Sequence, residues 1–257
     1  MNSIKNRFNA ARGIAVFHLA CGMLVLAVLA FLIFGVWFPY PYAEITGGRQ
    51  IFLVIVAVDI ICGPLLTLLI FDPFKEKWKW RLDIVVIVAL QLGAMIYGLE
   101  RLTSVRPVFL AYEGDRFRIV RANDIDADQL GEASPDFMHL SWSGPRLIGA
   151  KLLTAGDPLY LDSLVRSING EPPSLRPSRW VKYETQLEDI RKNLQPVQGL
   201  TLRGIDNKSL EDIAKKSKDG LSSLGYFPMV LGSVDDWVVV VDRNDGLPKG
   251  YLHIDGW

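Results

Sequence analysis

Cysteine is nearly missing from this chain: there are two in 257 residues, Cys21 and Cys62, and none after residue 62. That scarcity excludes a disulfide framework and any paired C-x-x-C metal centre. Both thiols lie in apolar runs, where a free cysteine packs as a small hydrophobe. Histidine is almost as scarce, three in all. His139 and His253 stand far apart, so a histidine base or a metal cluster has little to be built from. No G-x-S-x-G, H-E-x-x-H or Walker loop occurs. The pairs Asp126/Asp128 and Asp235/Asp236 lack the ligand spacing of a calcium loop and read as turn and cap residues. No catalytic residue, no metal and no cofactor is therefore expected. Neither sign of charge is in excess, with 28 Lys+Arg against 28 Asp+Glu. That balance implies no nucleic-acid partner.

Apolar residues, by contrast, make up 50% of the chain, and three long runs of them fill the first hundred positions. Ile14 to Phe38 has no Asp, Glu, Lys or Arg, Ile51 to Phe71 has only Asp59, and Ile84 to Leu99 is extended by Leu82 and the interfacial Trp78 and Trp80. These predict three transmembrane helices in the lipid bilayer. A cleaved signal peptide fits less well: the first run is too long for a signal core and no A-x-A-like site follows it. Lys5, Arg7 and Arg12 precede the first run, and Lys75, Lys77, Lys79 and Arg81 follow the second, whereas Arg49 is the only base in the intervening loop. The positive-inside rule then places the N-terminus in the cytoplasm and everything beyond residue 100 on the far side, a bacterial periplasm.

The polar residues inside these runs are the candidate site. Asp59 would lie about 18 Å from the cytoplasmic end of its helix, and Gln91 about 13 Å up the third, so a hydrogen bond between them is geometrically allowed. His18 and Thr67, each about 6 Å inside the cytoplasmic boundary, form a second candidate pair. Pro64 has no N–H for the carbonyl of Ile60 and should kink the helix, while Gly63 beside it permits close approach of another chain. One reading is that Asp59, Pro64 and Gln91 only fix the packing of a bundle. The other is that His18, Asp59, Gly63, Pro64 and Gln91 form a polar spot that recognises a partner. A transporter would want more helices and an internal repeat.

After residue 105 the composition becomes that of a water-soluble domain, giving two domains, 1–105 and 106–257. Val108 to Glu113 and Arg116 to Ala122 flank Gly114-Asp115 as a hairpin. Asn123 or Asp124 is the candidate cap of a short helix running to Leu130, and Asp157 with Pro158 opens another that stops at Gly170. The Pro- and Arg-rich "EPPSLRPSRWVKYE" reads as an irregular surface loop. Two amphipathic helical stretches and three C-terminal strands follow. The expectation is an α+β domain with a small antiparallel sheet. Arg116, Arg118 and Arg121 would line a basic hairpin edge, guarding against strand pairing or serving as a docking surface.

Three N-terminal helices including "VDIICGPLLTLLIFDP", then "QLGAMIYGLERLTSVRPVFLAYEGDRFRIVRANDI" and a terminal "DWVVVVDRNDGLPKGYLHIDGW", together resemble the type IV pilin accessory proteins (the TfpX/TfpZ group). The likeness is most specific over Asp59–Asp72 and Arg106–Ile125. It implies a non-enzymatic inner-membrane accessory, chaperone-like towards the type IV major pilin, that modulates pilin stability and pilus assembly or retraction. On that reading Asp59 and the Gly63-Pro64 kink shape a groove for a pilin helix. The chain does not have the pattern of a pilin: Gly13 is followed by "IAVFH", so His18 stands where a pilin carries its glutamate. The alternative function is a membrane-anchored periplasmic sensor or scaffold unrelated to pili.

Overall fold

The computed structural model describes residues 2–70 and 75–257, with side chains for all of these except residues 2–10 and 207. The expected end of the second helix at Phe71, the Asp72-Pro73 pair, and the side chains of Lys5 and Arg7 lie outside the described residues. The chain divides into two compact units, Met1–Arg106 and Pro107–Trp257.

Three helical spans long and apolar enough to cross a membrane make up the first unit: Ala11–Trp37, Gly48–Ile70 and Lys77–Val105. The first is α1 (Asn2–Leu32), closed by a π-helical turn, Ile33–Trp37. A short helix α2 (Tyr42–Ile45) follows the cis Tyr40–Pro41 peptide. Gly47, at φ +79°, supplies the left-handed residue that starts the second span. That span is broken into α3 (Gly48–Ala57), a π turn (Val58–Cys62) and α4 (Gly63–Ile70). The third is the continuous α5 (Lys77–Val105). α1 packs on α4, and α3 on α5. Leu26, Ile33, Phe38, Phe52, Ile55 and Leu102 form the buried centre. Most of the remaining apolar side chains point outward, as they must where the solvent is lipid; Phe31 is 78% exposed.

The second unit carries one eight-stranded sheet. Its strands are β1 (Pro107–Tyr112), β2 (Phe117–Arg121), β3 (Arg146–Ala150), β4 (Trp180–Lys182), β5 (Gln195–Pro196), β6 (Leu224–Leu231), β7 (Val234–Asp242) and β8 (Pro248–His253). They run in the order β4-β3-β1-β2-β6-β7-β8, with β5 also paired to β6. This corrects the expected small antiparallel sheet. β1 pairs β3 in parallel, and so does β2 with β6. A short turn forces neighbouring strands to be antiparallel, and the β1–β2, β6–β7 and β7–β8 turns do so. The strands that flank the β1–β2 hairpin arrive after long connections, which allow either direction.

Helices α6 (Tyr160–Ile168), α7 (Leu187–Asn193), α8 (Gln198–Leu202) and α9 (Asn207–Ala214) complete the unit. Every residue of β1 and β6 is buried, the mark of strands covered on both faces. Tyr112, Phe117 and Phe227 meet on the sheet with ring centroids 5.4–5.6 Å apart. Leu200, Leu210 and Ile213 pack α8 and α9 against Val238 and Val240. Pro228 falls where β6 passes from β5 to β2 as its neighbour, a position at which an interior strand tolerates the missing N–H.

Local readings are corrected too. Asp126, rather than Asn123 or Asp124, caps the turn Ala127–Glu132 by accepting from the N–H of Asp128. Asp124 instead accepts from the N–H and guanidinium of Arg121. α6 begins at Tyr160, and the Asp157 carboxylate accepts from the N–H and hydroxyl of Thr154, which hold it below the usual carboxylate range. The stretch read as wholly irregular contributes β4, an edge strand on β3.

Candidate functional site: a polar seam in the helical bundle

The seam begins with the proline. Pro64 is the second residue of α4 and brings no N–H to the helical ladder. The chain widens into the π turn Val58–Cys62 just before it, which lets carbonyls find donors one residue further on. The sequence predicts a kink at Pro64; the irregularity in the structure is the π turn that ends just before Gly63, with helical backbone continuing through Pro64. Asp59 sits inside the π turn and is half-buried.

His18 on α1 and Thr67 on α4 are brought together, with His18 Nδ1 2.9 Å from Thr67 Oγ1. The Thr67 hydroxyl donates to the carbonyl of Gly63 at 2.9 Å, one turn back. A hydroxyl has one proton, so towards His18 this oxygen accepts, and Nδ1 is the nitrogen that carries hydrogen. Nε2 is thereby left as an acceptor when the ring is neutral and a donor when it is charged. Thr67 is 2% exposed, so its bond to His18 is shielded from competing groups.

Asp59 and Gln91 are not joined. Among the described residues the Asp59 carboxylate has no hydrogen-bond partner, although His18 is near enough to act on it electrostatically. The Gln91 side chain lies instead over Gly63, where a Cβ would come within 2.0 Å of its Nε2. The close approach permitted by Gly63 is thus made by a side chain. A second such contact escaped the sequence reading. A Cβ on Gly98 of α5 would meet Ile55 Cγ1 of α3 at 2.4 Å. A glycine within an apolar span was the available signal.

At the other end of the first two spans, Phe34, Phe38, Tyr40 and Phe52 line a hollow of about 520 Å³. An Arg49–Glu44 ion pair at 3.3 Å forms part of its wall. Sequence reasoning did not find this hollow, because its residues come from the ends of two helices and the turn between them.

The three arginines of the second unit are not a bare edge. β2 lies between β1 and β6. Arg116 pairs with Asp115 at 2.7 Å and covers the Trp257 ring. Arg118 pairs with the buried Glu113 at 3.1 Å, and Arg121 with Asp124 at 2.7 Å. Each acid lies one to five residues from its arginine, a spacing visible in the sequence. Among the described residues no group of three or more His, Cys, Asp or Glu is arranged to hold a metal ion.

Comparison with known proteins bears on both units. Residues 6–47 match the family model "Fimbrial assembly protein FimB". A fimbrial assembly protein of serogroup I from Dichelobacter nodosus is 31% identical over 242 residues, covering 93% of this chain and 94% of that protein. The serogroup E1 protein of the same organism is 31% identical over 243 residues, with the same coverage. A shorter one, from serogroups C1 and C2, is 40% identical over 129 residues, half of this chain and 98% of its own length. No solved structure matches the chain.

Proposed function

The chain belongs to the fimbrial assembly protein family represented by FimB, and from that premise we propose that it is a non-enzymatic, chaperone-like accessory for the type IV major pilin. It sits in the inner membrane with its N-terminus in the cytoplasm and its sheet domain in the periplasm, an orientation supported by the basic residues flanking the spans. It holds or hands over pilin subunits before they enter the fibre, and so modulates pilin stability and pilus assembly or retraction.

The observation that carries this reading is that relatives named for fimbrial assembly match 93% of the chain, spanning the helices and the sheet alike. The seam supports a place for recognition. His18 Nε2, Asp59 and Gln91 are polar groups in a membrane, and a partner helix with one polar side chain would satisfy them better than lipid does. The π turn Val58–Cys62 and the small Gly63 shape the wall beside them. Arg116, Arg118 and Arg121 are weaker candidates, since each already has its carboxylate.

Co-purification tests it. Tagged full-length chain, extracted in mild detergent from cells making pilin, should retain pilin, and His18→Ala and Asp59→Asn should each release a measurable fraction. If wild type and both variants leave pilin capture, pilin level and surface pili indistinguishable from a strain lacking the protein, the reading fails.

A further inference from the structure

The Pro- and Arg-rich stretch of the second unit has no part in the function above. It folds as two 3-10 turns, Pro173–Leu175 and Pro177–Arg179, running past α6. This course carries Arg176 inward rather than draping it over the surface. Arg176 is 5% exposed. Its Nη2 donates to the hydroxyl of Ser163 at 2.7 Å, and its Nε has no hydrogen-bond partner. No carboxylate lies within ion-pairing distance of it among the described residues. Arginine holds its charge even when buried. A guanidinium this buried, with one neutral partner, is therefore costly, because no anion offsets its lost hydration.

Arg176 lines a cavity of about 340 Å³ together with Arg166, Arg179, Ser178, Asp162 and Glu132. The charges there do not cancel. Asp162 is engaged by Arg166 at 3.2 Å. Arg179 makes no ion pair, nor does Glu132 among the described residues. Burial first, and then the neighbouring Arg179 and Arg166, push the Arg176 guanidinium below its ordinary pKa. Two arginines without ion pairs thus face one hollow, and planar N–H forks of this kind match the oxygens of a tetrahedral oxyanion. Glu132 supplies an acceptor in the same wall for a ligand hydroxyl.

We propose that this cavity, between α6 and the Pro177–Arg179 turn, is a binding site for a phosphate-class oxyanion, free or as a monoester, held by Arg176 and Arg179 with Ser178 beside them. The ligand completes the coordination of Arg176 and ties the proline-rich segment to α6. The site is independent of the pilin reading and stands or falls without it.

Calorimetric titration of the full-length chain, in a zwitterionic detergent and phosphate-free buffer, tests it. Sodium phosphate should give a saturable one-to-one isotherm that sodium chloride of matched ionic strength does not. Arg179→Gln, at a half-exposed position, should weaken binding at least tenfold. A second arm with glycerol phosphate separates the sources: tighter binding than inorganic phosphate points to a lipid headgroup, and equal or weaker binding to the free anion. Arg176→Gln should abolish binding, but circular dichroism must first show that it folds. If it does not, Arg179→Gln decides alone. Phosphate heats no different from chloride, or an Arg179→Gln variant that binds as wild type does, would overturn the proposal.

Discussion

The two units treat the same residue types in opposite ways. Phe31, in the first span, is 78% exposed, whereas Phe117 and Phe227, in the sheet, are fully buried. Polar groups differ as well. In the bundle the His18–Thr67–Gly63 chain uses one histidine, one hydroxyl and one carbonyl. In the sheet domain carboxylates and guanidiniums pair repeatedly, as in Arg118–Glu113 and Arg121–Asp124. The cause is the solvent. Lipid rewards no apolar burial between helices, so close packing against glycine and a few local hydrogen bonds hold the bundle. Water drives aromatic rings inward, and charges outside remain solvated.

The largest effect should come from exchanging phenylalanines across this divide. Phe227→Ala removes a ring packed on Tyr112 and Phe117 and should destabilise the sheet domain by about 3–5 kcal/mol. Phe31→Ala should change stability by no more than about 0.5 kcal/mol. Urea unfolding followed by tryptophan fluorescence for the first, and thermal melting in detergent for the second, measure the contrast. Equal costs would mean that Phe31 is buried against something in the membrane.

A glycine contact sharpens the bundle's side of the comparison. Gly98→Ala drives a methyl into Ile55 and should cost about 1–3 kcal/mol through overpacking. Ile55→Ala in the same chain should recover part of the lost melting temperature. A second substitution that only adds to the loss would show that the helices do not meet there.

Thr67→Val asks what the buried hydroxyl contributes. Interhelical hydrogen bonds in membranes average about 0.6 kcal/mol, so the loss in melting temperature should be slight. The imidazole environment should nonetheless change. The nitrogen-15 shifts of His18 should lose the preference for hydrogen on Nδ1. Unchanged shifts would mean that Thr67 does not set the tautomer.

The smallest effect concerns acid. Burial raises the pKa of Asp242, but the N–H of Asn244 and the hydroxyls of Ser217 and Ser223 outweigh it and leave the carboxyl below its usual range. A depressed native value stabilises the fold above the unfolded carboxylate range and is lost as pH falls through it. Sheet-domain stability should therefore fall as pH drops below about 4. Asp242→Asn, which keeps the shape but not the titration, should flatten that part of the profile. If its profile matches wild type, other carboxylates control the acid limb.

Several of these features were legible from the residues alone. An uncharged run of this length is long and apolar enough to cross a membrane, so Ile14–Phe38 announces the first helix. Gly114-Asp115 between alternating strands announces the β1–β2 hairpin, and the proline signals an irregular helix, which the structure has as the π turn just before it. His18 and Thr67 were matched by depth, which a helix's rise per residue converts directly from sequence. Other features were not legible, because they depend on who arrives beside whom. Asp59 and Gln91 have comparable depths, yet Gln91 lies over Gly63, since helix rotation is decided by packing rather than by rise. The parallel pairings of β3 with β1 and β6 with β2 follow long connections whose paths no local signal dictates. Arg176 reads as one more surface charge in a proline-rich loop until the turns bury it against Ser163. The sequence by itself determined which segments meet lipid and which meet water, because hydropathy acts residue by residue over short windows. Only the tertiary structure decided the strand order, the seam's partners and the arginine cavity, because each is a contact between segments far apart in the chain.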